Sequence, residues 1–190
     1  MGEAQPNREG YDELDEIVAG VLQFDEAEPA MELASEMVAY QPTPARHIFD
    51  LFEKIALTSD DVLIDIGSGL GHVPILASVW TGARAIGVEL EPAYVACARR
   101  VAESLGLRGV TFLEQDARAT DFSIGNAFYL YTPFTGAILR ATLDLLRREV
   151  LRRPIRIGTF GPCTAAVAAE EWLATTDDAR EDRISIFRPR

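Results

Sequence analysis

A chain of 190 residues with 48% apolar content suits a single domain with a sizeable core. It contains no run near the roughly 20 apolar residues of a membrane span, and MGEAQPNREG at its N-terminus shows neither the basic start nor the apolar stretch of a secretory leader. Two cysteines, Cys97 and Cys163, exclude a disulfide framework and point to a reducing cytoplasm, while the two histidines, His47 and His72, form no cluster with metal-ligand spacing.

The formal net charge of −12 is unevenly spread. Residues 1–36 hold 11 Asp and Glu against one basic residue, Arg8, whereas residues 37–190 hold 19 acids against 17 Lys and Arg. An acidic leading segment thus precedes a nearly neutral body. A solvated face that aids solubility is the simplest account, and a docking segment for a basic partner is the sharper one. No basic run with interleaved aromatics marks a nucleic-acid surface, which disfavours that class of partner.

Apolar residues recur at helical spacing in YDELDEIVAGVL (11–22) and PAMELASEMVAY (29–40), predicting two amphipathic helices. YQPTP (40–44) interrupts the pattern. Thr43 suits the cap of the next helix and Pro44 its first turn, with ARHIFDLFEKIAL continuing it. His47, among Ile48, Phe49 and Leu51, reads as a hydrogen-bonded structural histidine. TSDD (58–61) is a turn, and beyond it strands and helices alternate. Strands are predicted at VLIDI (62–66), AIGVE (85–89), VTFLE (110–114), AFYLY (127–131), IRIGTF (155–160) and ISIF (184–187). Between them VPILASVW, PAYVACARRVAESL, GAILRATLDLLRREVL and the alanine-rich AAVAAEEWLA read as helices. Short, nearly continuous apolar strands are expected where both faces of a sheet are covered. The alternation implies parallel strands with right-handed crossovers. The expected fold is therefore α/β, a doubly wound, mostly parallel sheet with a helical N-terminal segment.

In such folds a ligand lies beyond the carboxyl ends of the strands, where the winding reverses. The first strand runs into Gly67-Ser68-Gly69-Leu70-Gly71, and three glycines exceed the needs of a tight turn. The spacing is G-x-G-x-G. A dinucleotide loop would place its third glycine where His72 stands. IDIGSGLG, followed by GVELEP and then EQDA, resembles the class I S-adenosylmethionine-dependent methyltransferases over roughly residues 40–160, in order and at typical spacing. The resemblance implies a Rossmann-like methyltransferase fold with S-adenosyl-L-methionine as cofactor. It divides the chain into an acidic arm with helices (1–39) and an adenosylmethionine-binding methyltransferase domain (40–190).

The same resemblance assigns site residues. Gly67, Ser68, Gly69 and Gly71 match the cofactor loop, and Asp65 matches the acid that holds the loop and the cofactor's amino end. Glu89 stands at the end of the second strand, where a carboxylate accepts hydrogen bonds from ribose hydroxyls in either nucleoside class. Asp116 matches the position that meets the adenine amino group, with Ala117 beside the ring. Tyr40 and Thr43, in YQPTP, fall in a region that folds over the cofactor in this family. His72 reads as a polar cap of the loop helix, and Cys163, lacking a nearby base, as an ordinary small residue.

The acceptor side is expected at the tip of the fourth strand, AFYLYTPFTG. Tyr131 and Phe134 flank Thr132-Pro133 where many relatives carry an Asn/Asp-Pro-Pro-aromatic signature for planar amines. Only one proline and the aromatic remain, which weakens the case for base-amine methylation. The motifs also resemble protein-lysine methyltransferases of the disruptor-of-telomeric-silencing type, whose Asn-rich loop after the fourth strand is missing here. The expected function is methyl transfer to a protein lysine or a small molecule rather than to nucleic acid, and the alternative is a non-catalytic adapter binding a basic partner through its acidic helices. No metal is expected. Only one strand, ISIF, follows the fifth strand's helix, where the family has two. A shortened sheet leaves an open edge and suggests a homodimer.

Overall fold

In the computed structural model, which describes residues 11–175 and 177–190, seven strands form one mixed sheet between two helical layers. MGEAQPNREG, the stretch expected to carry no leader, lies outside the described residues. The elements are α1 (Glu13–Leu22), α2 (Ala45–Ile55), β1 (Val62–Ile66), α3 (His72–Thr81), β2 (Arg84–Glu89), α4 (Pro92–Ser104), β3 (Val110–Glu114), β4 (Ala127–Tyr131), α5 (Gly136–Val150), β5 (Arg156–Phe160), α6 (Cys163–Ala168), β6 (Leu173–Ala174) and β7 (Ser185–Pro189). Strand order is β3-β2-β1-β4-β5-β7-β6, with β7 antiparallel to both β5 and β6. The winding reverses between β1 and β4, which pair in parallel. This gap is where such sheets admit a ligand.

The alternation of side chains along each strand divides the core in two. Leu63 of β1 with Ala127 and Tyr129 of β4 face the layer of α2, α3 and α4. Ile64 and Ile66, with Phe128 and Leu130, face α5 and α6. Asp65 therefore points to the same face as Tyr129. Val18 and Leu22 of α1 are buried in the first cluster, so the leading helix shares the core of the sheet domain.

Four expectations are corrected. Residues 29–40 form no helix. Their main-chain groups bond to the loop after β4 instead, through Val38 N–H to Pro133 O (3.1 Å), Thr135 N–H to Glu36 O (2.8 Å) and a Met37–Phe134 bridge. The apolar spacing misled because Met31, Leu33 and Val38 line no helical core and stay exposed. Thr43 does not cap α2; Asp15 does so from α1, its Oδ1 accepting the Ala45 N–H at 2.7 Å. His72 is not a cap either, since Gly71 is the N-cap of α3 and makes no side-chain bond. Finally, the alanine-rich stretch stops being helical at Ala168. Leu173–Ala174 is a two-residue strand, so two strands follow β5, too short a signal for pattern reading.

Among the described residues no helix is long and apolar enough to cross a membrane, and no group of three or more His, Cys, Asp or Glu is placed to hold a metal ion.

Candidate functional site

The carboxyl ends of β1, β2, β3 and β4 open into a cavity of about 880 Å³. Its roof is the segment 29–43, an extended strap that spans the gap between α4 and α5. On one side the Glu91 carboxylate, at the start of α4, accepts the Met31 N–H (2.9 Å). On the other, Glu36 accepts the Ala137 and Ile138 N–H groups (3.0 and 3.1 Å) at the first turn of α5. Those bonds hold the Glu36 carboxyl below its ordinary pKa.

Two glycines in the loop after β1 have conformations and clearances that a side chain would spoil. Gly67 has φ +80°, and a Cβ there would lie 2.2 Å from Pro133 Cβ. Gly69 has φ +52°, and its Cβ would meet the Tyr40 ring at 2.1 Å. The strap and the β4 tip thus pack directly on the bare loop. Gly71 faces Phe112 and Ala98 in the core, away from the cavity. Beside the loop, the Tyr40 hydroxyl meets His72 Nδ1 at 3.3 Å and its ring packs on Tyr94 with centroids 5.0 Å apart. Burial holds the His72 imidazole neutral, pushing its pKa down to about 4, and raises that of Tyr40.

Three of the carboxylates that line the cavity are in different states. Glu89, at the end of β2, is fixed by three main-chain donors: Oε2 accepts Gly69 N–H at 2.8 Å, and Oε1 accepts Leu90 and Glu91 N–H at 2.7 and 2.9 Å. Of roughly four acceptor sites one remains. Asp116 follows β3 and receives the Arg118 N–H and a two-pronged contact from its guanidinium, with Nη2 to Oδ2 at 2.6 Å. That pairing keeps the Asp116 carboxyl below its usual range. Asp65 differs from both. It is 4% exposed, lines the cavity, and receives no hydrogen bond or ion pair from the described residues. Burial, with Glu89 nearby, raises its pKa well above that of an ordinary aspartate. Ser68 Oγ, in the same loop, is also buried without a partner among the described residues.

The β4 tip closes the far end. Thr132 holds φ +38°, rare for a β-branched residue. Its hydroxyl donates to Phe160 O (3.2 Å) and accepts the Cys163 N–H (3.0 Å). Tyr131 packs on the Phe160 ring (4.7 Å between centroids), and so does His47, at 4.4 Å. Phe134 is buried with the α5 core but still lines the cavity. Thr43 Oγ1 and the buried Tyr129 hydroxyl lie 3.0 Å apart on the floor.

Of the residues singled out from the sequence, Asp65, Gly67, Ser68, Glu89, Asp116, Ala117, Tyr40, Thr43, Tyr131 and Phe134 line this one cavity, whereas Gly69 and Gly71 stand behind it. Sequence reasoning missed Tyr94, Glu91, Arg118, Tyr129 and most of the strap. Glu91 and Tyr94, just after the GVE motif, carried a positional signal; the strap carried none, its spacing being that of a helix. Cys163 is buried, with Sγ near Leu130 O and Phe160 O, and burial pushes its thiol pKa up, in keeping with an inert side chain.

Strand order, switch-point cavity and G-x-G-x-G loop define a class I S-adenosylmethionine-dependent methyltransferase fold. Within that class, the family model described as histone methylation protein DOT1 matches residues 33–128, just over half of the 190, and the chain belongs to this family. Among solved structures, it is similar to an RNA methyltransferase from Salinibacter ruber in complex with S-adenosyl-L-homocysteine, with 25% identity and a TM-score of 0.60 over 78% of this chain and 92% of that one. A SAM-dependent methyltransferase from Geobacter sulfurreducens, also in complex with S-adenosyl-L-homocysteine, shares 26% identity over 63% of this chain and 50% of its own, with a TM-score of 0.52. Precorrin-6y C5,15-methyltransferase from Geobacter metallireducens GS-15 shares the fold at 20% identity and a TM-score of 0.57, over 84% of this chain and 92% of its own. No curated protein sequence matches the chain.

Proposed function

We propose that the protein is an S-adenosyl-L-methionine-dependent methyltransferase acting on a protein lysine or a small molecule. The observation that carries this reading is Asp65, a buried carboxylate facing the cavity with no partner among the described residues. An unpaired buried charge is costly, so a site that retains one is suited to a ligand that brings a cation. The donor set fits the cofactor: Asp65 for its ammonium, the fixed Glu89 carboxylate for a ribose hydroxyl, and Asp116 with Ala117 for adenine. The relatives crystallised with S-adenosyl-L-homocysteine support the same assignment.

The cofactor brings the activated methyl group, which leaves a sulfonium by in-line displacement. What this chain adds is alignment and dryness. The strap excludes water from above, and Tyr131, Pro133 and Phe134 form the apolar wall at the β4 tip. Among the described residues, Asp65, Glu89, Glu91, Asp116 and Glu32 line the cavity against one guanidinium, that of Arg118, which is already paired. That balance supports a neutral or cationic acceptor over a polyanion.

The test is a thermal-shift series followed by labelled methyl transfer to host extract separated into protein, RNA and small molecules. S-Adenosylhomocysteine is expected to raise the melting temperature and NADH to leave it unchanged. Label in the protein or small-molecule fraction supports the acceptor assignment, and label in RNA alone replaces it. Binding without transfer to any fraction favours the adapter reading, and no shift with either sulfur nucleoside overturns the cofactor.

A further inference from the structure

One member of the Asp116–Arg118 ion pair, Asp116, is a group to which the cofactor reading gives a different partner. Asp116 lies two residues beyond β3 as the N-cap of the 3-10 turn Ala117–Ala119, and Arg118 stands in that turn. Oδ1 accepts the Arg118 main-chain N–H at 2.8 Å, Oδ2 accepts Nη2 at 2.6 Å, and Nε is shared between Oδ1 (3.0 Å) and Oδ2 (3.1 Å). A carboxylate offers roughly four acceptor sites, so these three donors leave one. The planar fork of arginine fixes both oxygens at once, as a lysine would not. Both side chains line the cavity.

We propose that Arg118 is a positioning residue for the nucleobase: it locks the Asp116 carboxylate so that its one open acceptor site selects a base bearing an exocyclic amino group. This rests on the cofactor reading given above. An ionised, acceptor-only group welcomes the 6-amino donor of adenine and repels the 6-oxo acceptor of hypoxanthine. Sites built around a hydrogen bond reject analogues lacking the matching group more strongly than apolar pockets do. Removing the fork leaves Oδ1 on the Arg118 main-chain N–H alone and frees Oδ2 to swing toward solvent, since among the described residues no side chain but Arg118 holds the Asp116 carboxylate and the Thr120 hydroxyl bonds only its main-chain oxygen. Discrimination between the two bases then falls, while contacts to ribose and amino acid stay in place.

The experiment is calorimetric binding of S-adenosylhomocysteine and S-inosylhomocysteine to the wild-type protein, Arg118→Ala and Arg118→Lys. Wild type is expected to prefer the adenosyl ligand. In Arg118→Ala the adenosyl Kd rises about tenfold, as for one charge-assisted hydrogen bond, while the inosyl Kd moves less than about twofold. Arg118→Lys, which keeps the charge and loses the fork, follows Arg118→Ala. Equal weakening of both ligands, no change in either, tighter adenosyl binding in Arg118→Ala, or a wild-type preference retained by Arg118→Lys each overturns the proposal. If wild type fails to bind S-adenosylhomocysteine at all, the cofactor reading falls and takes this inference with it.

Discussion

Two aspartates four residues apart, Asp61 just before β1 and Asp65 within it, are almost equally buried, at 7% and 4% exposure. At the amino edge of the sheet, Asp61 accepts from Thr58 N–H (2.8 Å), Thr58 Oγ1 (3.0 Å), Asn126 Nδ2 (2.9 Å) and the Arg156 guanidinium. Every acceptor site is used. Burial alone would raise its pKa, but the bonds from Thr58 and Arg156 prevail and lower it. Asp65 meets the same burial with no bond, and its pKa rises. Burial therefore does not separate the two; hydrogen bonding does. One end of the strand is completed by the chain itself, and the other is left with an acceptor that none of the described residues fills.

The comparison breaks first at Asp61. Asp61→Ala strands the Arg156 guanidinium and the Asn126 amide, and is expected to cost about 3 kcal/mol in urea unfolding, with the affinity of the folded protein for S-adenosylhomocysteine unchanged. An effect below about 1 kcal/mol would mean the network is ornamental. Asp65→Asn should act in the opposite direction, stabilising the ligand-free protein by roughly 1–2 kcal/mol at neutral pH while weakening ligand binding.

The two residues also predict opposite pH dependence. The lowered pKa of Asp61 contributes stability that is present above the unfolded value and is lost as pH falls through the folded one. The raised pKa of Asp65 contributes stability that is present below the unfolded value, about 4, and is lost as pH rises toward the folded one. The melting-temperature gain of Asp65→Asn over wild type should thus grow from about pH 4 upward. A gain that is flat with pH would show that Asp65 is not strained by its charge.

A smaller effect sharpens the role of the strap. Gly69→Ala places a Cβ against the Tyr40 ring at a φ that side chains avoid, and is expected to cost about 1 kcal/mol or more. In a Tyr40→Ala background the steric share should vanish and the backbone share remain. An undiminished cost there would place the penalty wholly in the loop.

Much of the sheet was legible because local pattern and tertiary role agree. VLIDI, VTFLE and AFYLY are strands over the residues expected; VLIDI and AFYLY are nearly continuous apolar runs buried on both sides, whereas the edge strand VTFLE buries only Phe112. Asp65 and Glu89 were legible for a related reason, since a polar residue at the carboxyl end of such a run has few structural uses. The strap was not legible. Met31, Leu33 and Val38 fall at helical spacing, yet Glu36 spends its carboxylate on the first turn of α5, and Val38 bonds across to Pro133. Both contacts span about a hundred residues of sequence, beyond any local window. Nor was the α2 cap legible, because Asp15 reaches it from another helix. Strand β6, at two residues, exists through its pairing with β7 and has no pattern of its own.

The most direct measurement is a crystal structure of the protein with S-adenosylhomocysteine. The account predicts the ligand's ammonium within hydrogen-bond reach of the Asp65 carboxylate and its ribose on Glu89. A ligand seated elsewhere, or Asp65 still unpartnered beside a bound ligand, would contradict it.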